Sequence, residues 1–235
     1  MAPMRRMSAI PALGKFAAPS PEVVAACAER AAAHAEEERR RIAPARIAAA
    51  GIPGRYLSAS LSDCDPAVAR WASLAAEGRW DGEAPFLLLT GANGVGKSHQ
   101  ACAALMALAP SSTLAFCEMP EVVEACCADY GRNADREIAR LSCAGALVID
   151  ELGHERATDR TAQWVFNLVH RLWKRRRPTV VVTNMDSQGL LDHYARCGDA
   201  TMGRSIVSRI GSGVVVRLEG RDRRFSAASP GRAEP

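Results

Sequence analysis

Residues 91–98, with the sequence GANGVGKS, have the types and spacing that suit phosphate binding. They match the pattern G-x-x-x-x-G-K-[ST], in which glycines let the backbone curl so that its N–H groups face an anion. Lys97 would place a positive charge on the β- and γ-phosphates, and the Ser98 hydroxyl would be a ligand of Mg²⁺. The segment therefore predicts a site for ATP and Mg²⁺ made by Gly91, Asn93, Gly94, Val95, Gly96, Lys97, Ser98 and His99.

Two adjacent carboxylates, Asp150 and Glu151, are the second candidate for chemistry, and they follow the apolar run 146–149. In open α/β sheets, ligands bind at the carboxyl ends of the strands. Asp150 would hold Mg²⁺ through water, and Glu151 would orient or deprotonate the attacking water. The second acid favours hydrolysis over small-molecule kinase chemistry, because a kinase must exclude activated water. We therefore predict an ATPase.

Polar groups near the carboxyl end of the chain complete the candidate set. Asn184 follows the run 179–183 and would hydrogen-bond the γ-phosphate or the attacking water, although asparagine is also common in turns that end strands. Arginines can donate paired hydrogen bonds to a phosphoryl group in transfer, from the same chain or from a neighbouring subunit. Composition alone leaves open which arginine does so, and a surface role is the alternative for each of Arg204, Arg209, Arg217, Arg221, Arg223 and Arg224.

Short apolar strands that alternate with amphipathic helices would position these groups at one edge of a parallel sheet. Strands are predicted at 86–90, 113–118, 146–150, 179–183 and 213–218. Helices are predicted at 65–77, 96–108, 120–130, 161–176 and about 201–210. The pattern predicts an α/β fold for residues 51–225.

The segments outside that domain are predicted to be an arm and two tails. Residues 1–20 are rich in Pro and Ala, and we expect no regular structure there. A helix is predicted over 21–42, with a break or kink at Pro44. Residues 1–50 would thus form a flexible tail and a helical arm that binds a partner, with a solvated surface helix as the alternative. Residues 226–235 would be a second disordered tail.

Composition narrows the class of protein. The 235 residues are 48% hydrophobic and 24% charged, and no apolar run reaches the roughly 18 residues that span a bilayer. The eight cysteines include no C-x-x-C pair, which predicts reduced thiols, mostly in the core of a cytoplasmic protein. Residues 51–170 carry 9 Lys+Arg and 15 Asp+Glu, whereas residues 171–224 carry 12 and 5. The basic second part suits nucleic acid or a neighbour's nucleotide, or simply forms a solvated surface.

In this order, the segments resemble those of the AAA+ ATPases, and more narrowly the DnaC-type replicative helicase loaders among the IstB/DnaC-like ATP-binding proteins. The resemblance covers about residues 50–225 and is carried by AGIPGRYLSASL, GANGVGKSHQA, LVIDELG, RRRPTVVVTN, SIVSRI and VVRLEGRDRR. It implies a three-layer P-loop AAA+ core with five parallel strands in the order 5-1-4-3-2. It also implies that Asn184 is sensor 1, that Arg209 reaches a neighbour's ATP, and that Arg223, with Arg224 as its rival, is sensor 2.

The same resemblance implies a helicase loader that hydrolyses ATP to ADP and phosphate. It would self-associate through its AAA+ interface, bind a hexameric DnaB-type replicative helicase and help to place it on single-stranded DNA. DNA contacts in such loaders correspond here to residues 154–160 and 121–130. Some loaders carry an N-terminal zinc module, whereas this chain has only Cys27 in that region.

Two alternatives remain open at this stage. An IstB-type transposition helper ATPase shares the core motifs but ends in a G-x-S-Y-R stretch, whereas residues 219–223 read EGRDR, which favours the loader. An adaptor that uses ATP as a switch and barely hydrolyses it is the other alternative. The presence of Glu151 and Arg209 argues against it.

Overall fold

A computed structural model describes residues 20–80, 84–196 and 200–222. The chain divides into two compact units, Met1–Glu38 and Arg39–Pro235. The described part of the first unit belongs to helix α1 (Pro21–Ala49), where every residue up to Glu38 is exposed. The Ser20 hydroxyl accepts a hydrogen bond from the Val23 N–H at 3.4 Å and caps this alanine-rich helix.

Helix α1 continues through Pro44, so the predicted end at residue 42 is wrong. A proline inside a helix removes one backbone hydrogen bond. The last turns of α1 pack on the core, and this packing offsets the loss of the backbone hydrogen bond. Ala43 and Ile47 contact the apolar core, and the Arg46 guanidinium donates to the carbonyls of Ala109 and Pro110 at 2.8 and 3.0 Å.

A five-stranded parallel sheet forms the centre of the second unit. Its strands are β1 (Phe86–Gly91), β2 (Leu114–Glu118), β3 (Ala146–Asp150), β4 (Thr179–Val182) and β5 (Val214–Leu218). They lie in the order β2-β3-β4-β1-β5, and each neighbouring pair is parallel. This is the predicted order read from the opposite edge, so the α/β prediction is confirmed.

Helices cover both faces of the sheet. The remaining ones are α2 (Pro66–Ala76), α3 (Lys97–Ala107), α4 (Met119–Cys127), α5 (Ala134–Ser142), α6 (Asp159–Lys174), α7 (Ser187–Ala195) and α8 (Ala200–Gly211). Phe86 and Leu88 face the layer of α4 to α8, whereas Leu87 and Leu89 face the layer of α2 and α3. The sequence pattern did not predict α5 and α7, which have nine residues each, although the buried Ala134, Ile138 and Leu141 of α5 have helical spacing.

The described cysteines are all free thiols. The prediction that most lie in the core holds only for Cys102, Cys117 and Cys126, whereas Cys27, Cys127 and Cys143 are exposed and Cys64 is half-buried. Burial raises the pKa of Cys102 and of Cys117 to about 12. Within the described residues, no helix has the length and apolar character needed to cross a bilayer.

Candidate functional site

A cleft of about 520 Å³ lies where β1, β3 and β4 end, between two walls that are built differently. The loop wall comes from the turn between β1 and α3 and consists of Asn93, Gly94, Gly96, Lys97, Ser98 and His99. The strand-end wall follows β3 and β4 and consists of Asp150, Glu151, His154, Val182, Thr183 and Asn184. Tyr56, from the 3₁₀ turn Gly54–Tyr56, also lines the cleft.

Glycine is required in the loop wall by backbone conformation and by space. Gly94 and Gly96 have φ of 77° and 99°, in the left-handed region that glycine adopts at little cost. A Cβ on Gly94 would also collide with the Asp222 carboxylate, and one on Gly91 would collide with the Leu218 carbonyl oxygen. The backbone of the loop can therefore approach a ligand closely.

The cation of the loop wall, Lys97, begins helix α3 and is buried, with 6% of its surface exposed. Its Nζ donates hydrogen bonds to the carbonyls of Gly91 and Ala92 at 2.9 and 2.7 Å. The ammonium thus lies over the loop at a helix N-terminus, where anions are favoured. Gly91 and Val95 do not line the cleft, and the Val95 side chain packs in the core.

Across the cleft, the nearly buried Asp150 faces Ser98. Its carboxylate accepts hydrogen bonds from the Ser98 hydroxyl and, at 2.9 Å, from the Glu151 N–H. Burial raises the pKa of Asp150, although these two hydrogen bonds and the charge of Lys97 oppose that effect. A hydroxyl and a carboxylate side by side are the oxygen donors that suit Mg²⁺. Ser98 and Asp150 therefore fit the predicted metal site.

Glu118 adds a third carboxylate beside Asp150 and Glu151, since it ends β2 in register with Asp150. Burial raises the pKa of Glu118, and the nearby negative charges of Glu151, Glu121 and Asp150 raise it further. Negative charge is therefore concentrated at this end of the sheet. The sequence analysis had placed residue 118 at the end of a strand without assigning it to the site.

Glu151 lies in a tight turn directly after β3. Its φ of 57° is unusual for a residue with a side chain, and about half of that side chain is exposed. The turn is held from both sides, because the Leu152 N–H donates to the Val182 carbonyl and the His154 N–H donates to the Glu151 carbonyl, each at 3.0 Å. The carboxylate is thereby placed in the cleft.

His154 lies between Glu151 and Asn184. The Asn184 amide Nδ2 is 2.9 Å from His154 Nε2, and His154 Nδ1 is 3.8 Å from a carboxylate oxygen of Glu151. When the amide donates, Nε2 is the acceptor and the ring hydrogen of a neutral histidine is on Nδ1, facing Glu151. The family resemblance implies a DNA contact for His154, whereas the structure places this residue in the cleft.

The candidate arginines that the structure describes, Arg204, Arg209, Arg217 and Arg221, do not line the cleft. Arg209 is half-buried on α8, with its guanidinium 5.2 Å from the Phe166 ring centroid and 5.6 Å from that of Trp173. Its Nη1 donates to the Ser205 carbonyl at 2.7 Å. Arg223 and Arg224 lie outside the described residues.

Comparison with known proteins identifies the family. The family described as IstB-like ATP binding protein matches residues 62–227. The chain belongs to this family. Membership supports ATP binding by this chain. A comparison with curated proteins gave no match.

Solved structures support the same fold at low sequence identity. A crystal structure of DnaI is 23% identical with a TM-score of 0.61, covering 74% of this chain and 95% of that chain. The DnaC helicase loader is 21% identical with a TM-score of 0.54, covering 71% and 100%. The replication initiator DnaA bound to AMPPCP and single-stranded DNA is 14% identical with a TM-score of 0.54, covering 73% of this chain and 52% of that one. The fold is that of the AAA+ P-loop NTPases.

Proposed function

We propose that this protein is a helicase loader that hydrolyses ATP and helps to place a hexameric replicative helicase on single-stranded DNA. The observation that carries the ATPase part is the cleft itself. It brings Lys97 and Ser98 of the loop wall together with Asp150, Glu151 and Asn184 of the strand-end wall around a space of about 520 Å³. Binding alone would not require Glu151.

Each of the cleft residues has a separate role in the proposed reaction. The loop N–H groups and Lys97 bind the phosphates, while Ser98 and Asp150 would hold Mg²⁺, which would neutralise charge on the phosphate oxygens. Glu151 takes the proton of the attacking water, whose oxygen bonds to the γ-phosphorus as the bond to the ADP oxygen breaks. Asn184 orients this water or the γ-phosphate, and Arg209 stabilises the transferred group in a neighbouring subunit. The products are ADP, phosphate and a proton.

A sensor 2 role for Arg223 draws support from the position of its neighbour. Asp222 lies against Gly94 in the loop wall, so the segment after β5 returns to the nucleotide cleft.

The connection between α4 and α5 supports single-stranded DNA as a ligand. Tyr130 is 94% exposed there and has a φ of 58°. The adjacent Gly131 lies against Arg160 and Trp164, each 3.7 Å from a Cβ placed on that glycine. An exposed aromatic ring suits base stacking, and an arginine close to the neighbouring Gly131 suits phosphate binding. The two segments expected to contact DNA, 121–130 and 154–160, thus lie next to each other.

A turnover assay with and without an oligothymidine strand tests the ATPase and the DNA site together. We expect hydrolysis by the parent and a change in its rate when the strand is added. Tyr130→Ala should weaken DNA binding by about tenfold and leave ATP binding intact. The exposed Val215→Ala is the matched control. Absence of turnover under both conditions would favour the ATP-gated adaptor.

Capture experiments test the helicase. One of the similar structures is the DnaC helicase loader, and the α1 segment up to Glu38 is exposed. Removal of residues 1–38 should abolish capture of the purified helicase from the same organism while ATP binding is kept. The cut falls before residue 39 because Ala43, Arg46 and Ile47 pack on the core. Undiminished capture by the shortened chain would exclude the arm as the docking element.

The transposition helper remains a second candidate, because the matching family carries the name of IstB. The same capture experiment separates the two functions when a transposase from the source organism is offered beside the helicase. Retention of the transposase alone would replace the loader proposal.

A further inference from the structure

A buried carboxylate lies underneath the turn that carries Glu151. The Glu155 side chain is fully buried, its Oε2 accepts the Gly153 N–H at 2.8 Å, and its Oε1 accepts the Tyr194 hydroxyl at 2.6 Å. His193 Nε2 is 3.5 Å from the same Oε1. Burial alone would raise the pKa of Glu155, but the groups that hydrogen-bond it keep that pKa below its ordinary value. A charged carboxylate is thus kept inside the protein.

The turn requires such an acceptor. Glu151 and Gly153 both have left-handed φ values, 57° and 91°, so two of three consecutive residues depart from the conformations of strand and helix. This geometry directs the Gly153 N–H into the protein, where water cannot satisfy it. Glu155 supplies the acceptor from two residues further along the same turn. The turn is therefore held by its own buried side chain.

Tyr194 connects this turn to the segment that carries Asn184, through its hydrogen bond to Glu155. It lies on α7, which begins shortly after Asn184, and it is fully buried. Met185 contacts the turn from the same segment, with its sulfur 3.0 Å from a Cβ placed on Gly153. The Glu155–Tyr194 pair thus lies beneath the two loops that form the strand-end wall.

Packing alone does not explain the pair. A phenylalanine would fill the space of the Tyr194 ring without a polar group, and an apolar residue at position 155 would avoid the cost of burying a charge. The described contacts of the carboxylate are with the turn and with α7. The Glu155 carboxylate therefore acts on the turn above it, by accepting the hydrogen bond of the Gly153 N–H.

We propose that Glu155 and Tyr194 are positioning residues that hold the turn after β3 so that the Glu151 carboxylate faces the nucleotide. The link to catalysis rests on the proposed ATPase function, whereas the effect on the turn does not. Neither residue touches the nucleotide. Their loss should therefore lower kcat while ATP affinity stays the same.

Tyr194→Phe is the main test, because it keeps the ring and removes only the hydroxyl. We expect kcat to fall about tenfold, since small misplacements of a catalytic group are costly, with KM and the ATP dissociation constant within about twofold of the parent. Hydrogen exchange measured by mass spectrometry should show faster exchange in the peptide that covers residues 150–156. Glu155→Gln should lower kcat as well, and the double variant should lose little more than the stronger single variant.

Thr179→Val is the matched control, since it also removes one buried hydroxyl, which donates to the Arg177 carbonyl at 2.9 Å at the start of β4. It should lower the melting temperature without changing kcat or exchange in the turn. Parental turn exchange and parental kcat in Tyr194→Phe would overturn the proposal, and so would parallel losses of kcat and ATP affinity. If the parent does not hydrolyse ATP, the ATPase function fails, and exchange in the turn alone decides whether the pair holds it.

Discussion

The two walls of the cleft differ in how they are made. The loop wall is one continuous segment. Its binding groups are mainly backbone N–H groups and the Lys97 ammonium, and they can be read directly from the sequence of residues 91–98. The strand-end wall draws its side chains from two strands that are separated by an intervening helix, and its turn depends on buried partners elsewhere. Substitutions in the loop wall should therefore affect binding, and those in the strand-end wall should affect turnover.

The largest effect is expected for Lys97→Ala. This change removes the charge that faces the phosphates at the start of α3, so tight ATP binding should be lost while the fold is kept. A fluorescent ATP analogue measures the affinity, and a melting curve checks the fold. Lys174→Ala, an exposed lysine on α6, is the control. Parental affinity in Lys97→Ala would contradict the assignment of the loop wall.

Arg209→Ala tests whether a neighbouring subunit completes the strand-end wall. Arg209 stacks on Phe166 and Trp173 outside the cleft of its own chain, so the variant should bind ATP normally. Turnover should fall by roughly 10³ if the arginine acts on a neighbour's ATP. Arg204→Ala, an exposed arginine of the same helix, is the control.

Mixing Arg209→Ala with Glu151→Gln sharpens this test. Some interfaces then pair an intact Glu151 with an intact Arg209, so part of the turnover should return. A mixture as inactive as either variant alone, with assembly preserved, would show that Arg209 does not act across an interface.

Glu151→Gln should distinguish most clearly the turnover role of the strand-end wall from the binding role of the loop wall. The amide cannot accept a proton from water, so turnover should fall by about a hundredfold, whereas ATP binding should stay at the parental level. Steady-state hydrolysis and nucleotide titration measure the two effects. Glu77→Gln, an exposed acid directly after α2, is the control. Loss of binding to the same extent as turnover would give Glu151 a structural role instead.

His154→Ala should have the smallest effect of the series. The imidazole contacts both Asn184 and Glu151 without lying on the path of the transferred proton, so we expect turnover to fall by about tenfold or less. His154→Gln, which can still form a hydrogen bond with Asn184, should retain more activity than the alanine variant. Equal turnover in the parent and in His154→Ala would mean that the contact is incidental.

The loop wall was predictable because its information is local. Glycines at fixed offsets, a lysine and a serine between a strand and a helix define a phosphate-binding loop without reference to distant residues. Asp150, Glu151 and Asn184 were predictable for a related reason, since strands of a parallel sheet end at a common edge. The length of α1 was not, because the contacts of Ile47 and Arg46 outweigh the effect of Pro44.

The amino-acid sequence by itself predicted the glycine-rich loop as the phosphate site, and it determined the α/β fold and the strand order implied by the resemblance. Only the tertiary structure decided that His154 lies between Glu151 and Asn184, that Glu118 joins the acidic edge, and that Glu155 meets Tyr194 beneath the turn. The physical reason is distance along the chain. Glu155 and Tyr194 are 39 residues apart, and nothing in either neighbourhood specifies a buried hydrogen bond until α7 packs against the end of β3.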